Sequence, residues 1–171
     1  MRRIAFLLAI SLVSFVSNAQ TDSATAQRDT LAPYQKNPTI PSFTIQTPDS
    51  SWFSKSNLQP KKPTLILYFS PDCGHCQMET EELLSKMKEF PNLQIVMITS
   101  RPFEDMSNFA THYMIKRFPS IRIGTDPARL VTRFYDVKFT PFSALYDKKG
   151  KLMKVYEKGI NMEEMARLVK S

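Results

Sequence analysis

Hydrophobic and polar positions change period several times along the chain, and each change marks an element. Phe43 and Ile45 alternate with Thr44 and Gln46, which predicts a short strand with one covered face, closed by the turn Pro48-Asp49-Ser50. Trp52-Phe53 and a polar stretch to Pro63 follow. Thr64 to Phe69 is a continuous apolar run between Pro63 and Pro71, the pattern of a strand covered on both faces. Directly after it, Cys76, Thr80, Leu83, Leu84, Met87 and Phe90 recur at helical spacing, with Glu79, Glu81, Glu82, Lys86 and Lys88 mostly on other faces and Pro91 as the stop.

Leu93 to Ile98 predicts a second buried strand. Met106, Phe109, Ala110, Tyr113 and Met114 repeat at i, i+3, i+4, i+7 and i+8, which predicts a second helix with these residues in the core. Ile121 and Ile123 make a short strand, and Pro127 to Tyr135 a short helix. Phe142 to Tyr146 and Leu152 to Tyr156 flank Asp147-Lys148-Lys149-Gly150, a hairpin with glycine where positive φ is wanted. Asn161 caps a last helix, with Glu164 three residues on, that buries Met162, Met165, Leu168 and Val169. Strand, helix, strand, helix, strand, hairpin and helix in that order predict an α/β sandwich with a mixed sheet.

The N-terminus follows another logic. Arg2 and Arg3 precede an apolar run from Ile4 to Val16, and Ser17-Asn18-Ala19 ends it with small residues, the layout of a secretory signal peptide cleaved after Ala19. The run spans roughly 20 Å as a helix, short of the ~30 Å hydrocarbon core. An uncleaved anchor facing the periplasm is the alternative. Residues 20–40 are rich in Thr, Ser, Gln, Asp and Pro and read as a flexible lead, so the folded domain is expected over 41–171. Export would put the cysteines where disulfides persist.

Composition narrows the chemistry. Two cysteines and two histidines exclude a pair of zinc sites, a ferredoxin pattern and a multi-bridge disulfide scaffold. The formal charge of +7 is spread as single Lys and Arg between acids, with no basic helix or aromatic-basic strand face, so a nucleic-acid partner is not expected.

Cys73-Gly74-His75-Cys76 falls where a buried strand ends and an amphipathic helix begins. There, unpaired backbone N–H groups would favour a thiolate at Cys73. Cys76, at i+3, lies within disulfide reach while carried one turn further in. Thiol–disulfide exchange needs this asymmetry of an open nucleophile and a close resolving thiol. A stabilising bridge across two intervening residues would be a poor staple, because entropic stabilisation grows with loop length. A zinc or copper half-site completed by His75 or His112 is a further reading, though His75 is poorly placed to close the same shell.

Phe69-Ser70-Pro71-Asp72-Cys73-Gly74-His75-Cys76 resembles the thioredoxin-fold active site, and Phe139-Thr140-Pro141-Phe142 with the following hairpin and helix resembles that family's cis-proline loop and closing elements. The inserted strand and helix between about Arg101 and Tyr135, with the hairpin-like lead-in from Pro41, make the chain most similar to the TlpA/ResA branch of exported thiol–disulfide reductases. The resemblance implies a three-layer sandwich with a mixed central sheet, a cis bond at Thr140-Pro141, and client docking at Thr140 and Pro141. It also implies a Cys73–Cys76 disulfide as the redox centre without another cofactor or metal, a membrane thiol donor, and a monomer. It suggests proton exchange between Glu79 and the inner thiol, against a solvated acid near a helix start.

The chain departs from the family in two places: Leu67 stands where many thioredoxins carry a buried acid, and Asp72 where a Trp usually precedes the first cysteine. A carboxylate there opposes a Cys73 thiolate, whereas a protonated His75 would favour it. Gly74-His75 resembles the dipeptide of protein disulfide isomerase and implies a potential less reducing than thioredoxin's. Two alternatives compete with disulfide exchange. One is a thiol peroxidase, which usually wants a lone cysteine after Pro-x-x-x-Thr; the other is a copper or zinc chaperone using the same cysteines.

Overall fold

Within Thr64–Phe69, alternate side chains point to opposite faces, and both faces are covered, which is why the run reads as continuously apolar. Leu65 and Leu67 pack with Ile95, Met97, Leu83, Met106, Phe109 and Met165; Ile66 and Tyr68 pack with Val96, Val131, Tyr135 and Tyr146. The computed structural model describes residues 31–170. Its strands are β1 (Thr44–Gln46), β2 (Trp52–Ser54), β3 (Thr64–Tyr68), β4 (Gln94–Thr99), β5 (Ile121–Thr125), β6 (Phe142–Tyr146) and β7 (Leu152–Tyr156). They form one seven-stranded sheet in the order β2-β1-β5-β4-β3-β6-β7.

Strands β3, β4 and β5 are parallel, with Ile66 opposite Val96 and Met97 opposite Ile123, whereas β6 runs antiparallel to β3 with Ala144 opposite Ile66. Helices α1 (Pro33–Lys36), α2 (Gly74–Ser85), α3 (Phe103–His112), α4 (Leu130–Tyr135) and α5 (Met162–Lys170) complete the architecture. Residues of α2, α3 and α5 contribute to the core on one face of the sheet, and residues of α1 and α4 pack with the core on the other. This is the expected mixed-sheet sandwich. The turn before β7 uses Gly150 at φ 76°, where a side chain would be strained. The Asn161 side chain accepts from the Glu164 N–H at 2.9 Å, as the capping pattern predicts.

Three expectations are corrected. The flexible lead does not extend to Ile40: Thr39 bridges to Lys151, the Leu152 N–H donates to the Pro38 carbonyl at 2.8 Å, and Ile40 is buried. The Tyr34 ring lies 5.8 Å from that of Tyr135. Two apolar side chains suffice for this because the β6–β7 hairpin offers backbone groups to pair with. The expected signal peptide and the rest of the lead lie outside the described residues.

Met114 is not core. Helix α3 stops at His112, Met114 turns at φ 49° with its side chain 55% exposed, and Ile115 takes the buried place. Tyr113, Leu168 and Val169 are half-buried. The third correction concerns the helix after β3, which ends at Ser85 rather than running to Phe90. A 3-10 turn over Met87–Glu89 then carries Phe90 into the core.

Candidate active site

Parallel strands deliver the loops after β3, β4 and β5 to one edge of the sheet, the edge where α/β folds place their sites. The chain leaves β3 through Phe69, and Cys73 stands as the N-cap of α2 with extended backbone. The Cys76 N–H donates to Cys73 Sγ at 3.4 Å, so an orphan donor of the first turn meets the sulfur. Cys73 is partly exposed and Cys76 is buried. Across the site, the loop before β6 brings the Thr140 carbonyl oxygen to 3.5 Å from the Cys73 thiol, which donates to it. The Thr140-Pro141 peptide is cis, as the resemblance implied.

The two sulfurs are electrostatically unlike. Burial pushes the Cys73 thiol up, but hydrogen bonds with the Cys76 and Thr140 side chains and with the N–H groups of Cys76 and His75 outweigh it and leave Cys73 below the ordinary thiol value. Burial, reinforced by the neighbouring Cys73, pushes Cys76 up to about 12. Of the two sulfurs, Cys73 is therefore the more readily ionised and Cys76 the less.

Asp72, expected to oppose ionisation of Cys73, is itself answered. Its carboxylate accepts a hydrogen bond from the Ser70 hydroxyl, and Arg101 Nη2 lies 3.3 Å from Asp72 Oδ2. The Ser70 hydrogen bond first, then its own backbone N–H and Arg101, hold the Asp72 carboxyl below its usual range. Arg101 also approaches Asp105, with Nε at 3.7 Å. Arg101 was not singled out from sequence. The signal was topological: the Phe69 N–H donates to the Ile98 carbonyl at 3.0 Å, so residues just past β4 lie beside those just past β3.

Glu79 is 7% exposed, not solvated. Its Oε2 accepts from the Ile160 N–H at 2.8 Å and its Oε1 from the Ser143 hydroxyl at 3.3 Å. Burial raises its pKa, opposed by these two hydrogen bonds. Gly159, at φ 97°, belongs to this pocket: a Cβ there would come within 3.1 Å of Glu79 Oε2. Sequence reasoning placed Glu79 one turn beyond Cys76 but missed Ser143, Gly159 and Ile160, which reach it from β6 and from the segment before α5. Leu67, in the position of the missing acid, is buried in the same core cluster as Cys76.

Gly74 and His75 are exposed on the first turn of α2. A cleft of about 600 Å³ is lined by residues including Asp72, Gln77, Glu81, Arg101, Asp105 and His112. Among the described residues, no group of three or more His, Cys, Asp or Glu side chains is arranged to hold a metal ion.

No curated protein matches the chain. Among solved structures, a secreted disulfide oxidoreductase from Mycobacterium tuberculosis is similar to it at 20% identity and a TM-score of 0.62, covering 75% of this chain and 94% of that one. A thiol-disulfide oxidoreductase from Bacteroides fragilis matches at 14% identity and a TM-score of 0.63, covering 77% and 98%. A thiol peroxidase from Chromobacterium violaceum matches at 15% and 0.64, covering 77% and 83%. These likenesses establish a thioredoxin-like fold. Residues 37–166 match the AhpC/TSA family, spanning both cysteines and the cis-proline loop, and the chain belongs to that family.

Proposed function

We propose that the protein is an exported thiol–disulfide oxidoreductase that reduces disulfides of client proteins through Cys73-Gly74-His75-Cys76. One observation carries the reading: a partly exposed Cys73 sulfur receives the Cys76 N–H at the helix start while Cys76 itself is buried one turn in. The Cys73 thiolate attacks a client disulfide, forming a mixed disulfide and releasing one client thiolate, which takes up a proton. Cys76 then gives up its proton and attacks Cys73 Sγ, which releases the second client sulfur as a thiol and closes the Cys73–Cys76 disulfide. Two electrons pass from the dithiol to the client, and a membrane dithiol donor restores them. Glu79 is the proton acceptor for Cys76; a carboxylate at i+3 with its pKa raised by burial suits that task. Thr140 and Pro141 dock the client, and Asp72, Gly74 and His75 modulate the sulfurs.

The site works without a resident metal or further cofactor, and the protein acts as a monomer with no nucleic-acid partner. Export rests on the N-terminal pattern of residues 1–19. The similar fold of a thiol peroxidase supports a second reading, in which Cys73 reduces a peroxide.

An insulin-reduction assay with wild type, Cys73→Ala and Cys76→Ala tests the proposal, with a hydrogen peroxide arm alongside. Wild type is expected to reduce insulin, Cys73→Ala to be inactive, and Cys76→Ala to accumulate mixed disulfides. Equal trapping by both variants would overturn the roles, and turnover of peroxide alone would favour the second reading.

A further inference from the structure

Phe139 is 80% exposed, more than any other large apolar side chain among the described residues. A single exposed apolar residue is ordinary on a protein surface, but this one has a particular address. It is bonded to Thr140, whose carbonyl oxygen lies 3.5 Å from Cys73 Sγ. The same segment turns its other aromatics inward: Tyr135 and Phe142 are buried with ring centroids 5.0 Å apart, and Phe134 is half-buried against Tyr135. The loop that meets Cys73 thus buries its neighbouring aromatics and leaves Phe139 to solvent. Its charged neighbour Lys138 is paired with Asp136 at 2.6 Å, so the surface offered here is apolar rather than a free cation.

We propose that Phe139 is a specificity-determining residue for the client, packing against an apolar side chain next to the client cysteine that Cys73 attacks. The inference rests on the disulfide-exchange reading and deepens it, because it names the substrate class: extended polypeptide with an apolar residue beside its cystine. A client sulfur in line for attack sits roughly 3–3.5 Å from Cys73 Sγ. Consecutive Cα atoms are about 3.8 Å apart, so residues flanking that sulfur pass over Thr140 and reach Phe139. A small disulfide can reach Cys73 without touching it. Aromatic side chains give large apolar area at low conformational cost, which suits recognition of varied sequences.

The test uses the full chain, reduced by dithiothreitol, on three substrates: bis(2-hydroxyethyl) disulfide and two cystine peptides that differ only in Leu or Ser beside one cysteine. Wild type is expected to favour the Leu peptide in kcat/KM by about tenfold, chiefly through KM. Phe139→Ala should erase that preference while leaving the small disulfide within twofold, and Phe139→Leu should restore most of it. Trp52→Ala, which removes an exposed aromatic from the outermost strand β2, should change none of the three rates. A preference unchanged in Phe139→Ala, or an equal loss on all three substrates, overturns the inference alone. A wild type that reduces none of them overturns the disulfide-exchange reading, and this inference with it.

Discussion

Arg101 sets its guanidinium 3.3 Å from the carboxylate of Asp72, the residue immediately before Cys73. The pair brings together two loops that are distant in sequence and places a cation against the charge that would otherwise oppose a Cys73 thiolate. Both partners are largely exposed, so water and salt screen the effect. Replacing Arg101 by Gln should slow alkylation of Cys73 by iodoacetamide at neutral pH about two- to threefold, and Asp72→Asn should speed it by a similar factor. If Arg101 acts through Asp72, adding Arg101→Gln to Asp72→Asn leaves the rate where Asp72→Asn put it. Additive effects in the double variant would show that Arg101 acts directly on the sulfur.

The two sulfurs should differ in reactivity. With Cys76 pushed up to about 12 by burial, its thiolate fraction at pH 7 is on the order of one in 10⁵. Cys73 lies below the ordinary thiol value and is partly exposed. Brief iodoacetamide treatment of reduced, native protein should therefore add one label, located on Cys73 by peptide mass spectrometry, and denaturation should admit a second. Equal labelling of both cysteines in the native state would contradict the burial asymmetry.

What the sequence made legible was local or carried by the resemblance. The strand Thr64–Phe69, the helix start at Cys73 and the β6–β7 turn at Gly150 are set by runs, spacings and a glycine that a few neighbouring residues define. Arg101, Ser143 and Ile160 were not legible, because each lies far from Cys73 or Glu79 in the chain: Ser143 arrives by strand pairing, Arg101 on the loop after β4 and Ile160 on the segment between β7 and α5. Met114 shows the opposite failure. It continues the helical period perfectly, yet α3 ends two residues earlier, and periodicity alone cannot place a helix end.

Glu79 should trade stability for activity. Its pKa is raised by burial, so the folded state holds its proton over a range where the unfolded chain has released it. Between the two values stability falls as pH rises, and above the folded value the protein carries the full cost of a buried charge. Glu79→Gln, which keeps an acceptor for the Ile160 N–H, should raise Tm at pH 8 by about 2 to 4 °C for each kcal/mol relieved and leave it unchanged at pH 4. The same variant should slow resolution of the mixed disulfide by about 10²-fold if the carboxylate takes the Cys76 proton. Stopped-flow release of a trapped client, with thermal unfolding at both pH values, separates the two effects. A resolution rate equal to wild type would remove Glu79 from the proton path and leave its role to the hydrogen bonds with Ser143 and Ile160.

The last prediction concerns the poise of the couple. Interactions that stabilise one thiolate stabilise the reduced dithiol, and a couple with a stabilised reduced form is a weaker reductant. At Cys73 the Cys76 N–H, the His75 N–H and the Thr140 side chain all act in that direction, opposed by burial, while the charge of Asp72 is answered by Arg101. Equilibration against a glutathione buffer series should therefore give a midpoint less reducing than the roughly −270 mV of thioredoxin and toward the roughly −180 mV of protein disulfide isomerase. Arg101→Gln should move it in the reducing direction, because an unpaired Asp72 disfavours the thiolate and hence the dithiol. A wild-type midpoint at or below the thioredoxin value would mean that the hydrogen bonds stabilising the Cys73 thiolate are outweighed by some other stabilisation of the oxidised pair. The hydrogen bonds at Cys73 would then set its reactivity without setting the direction of electron flow.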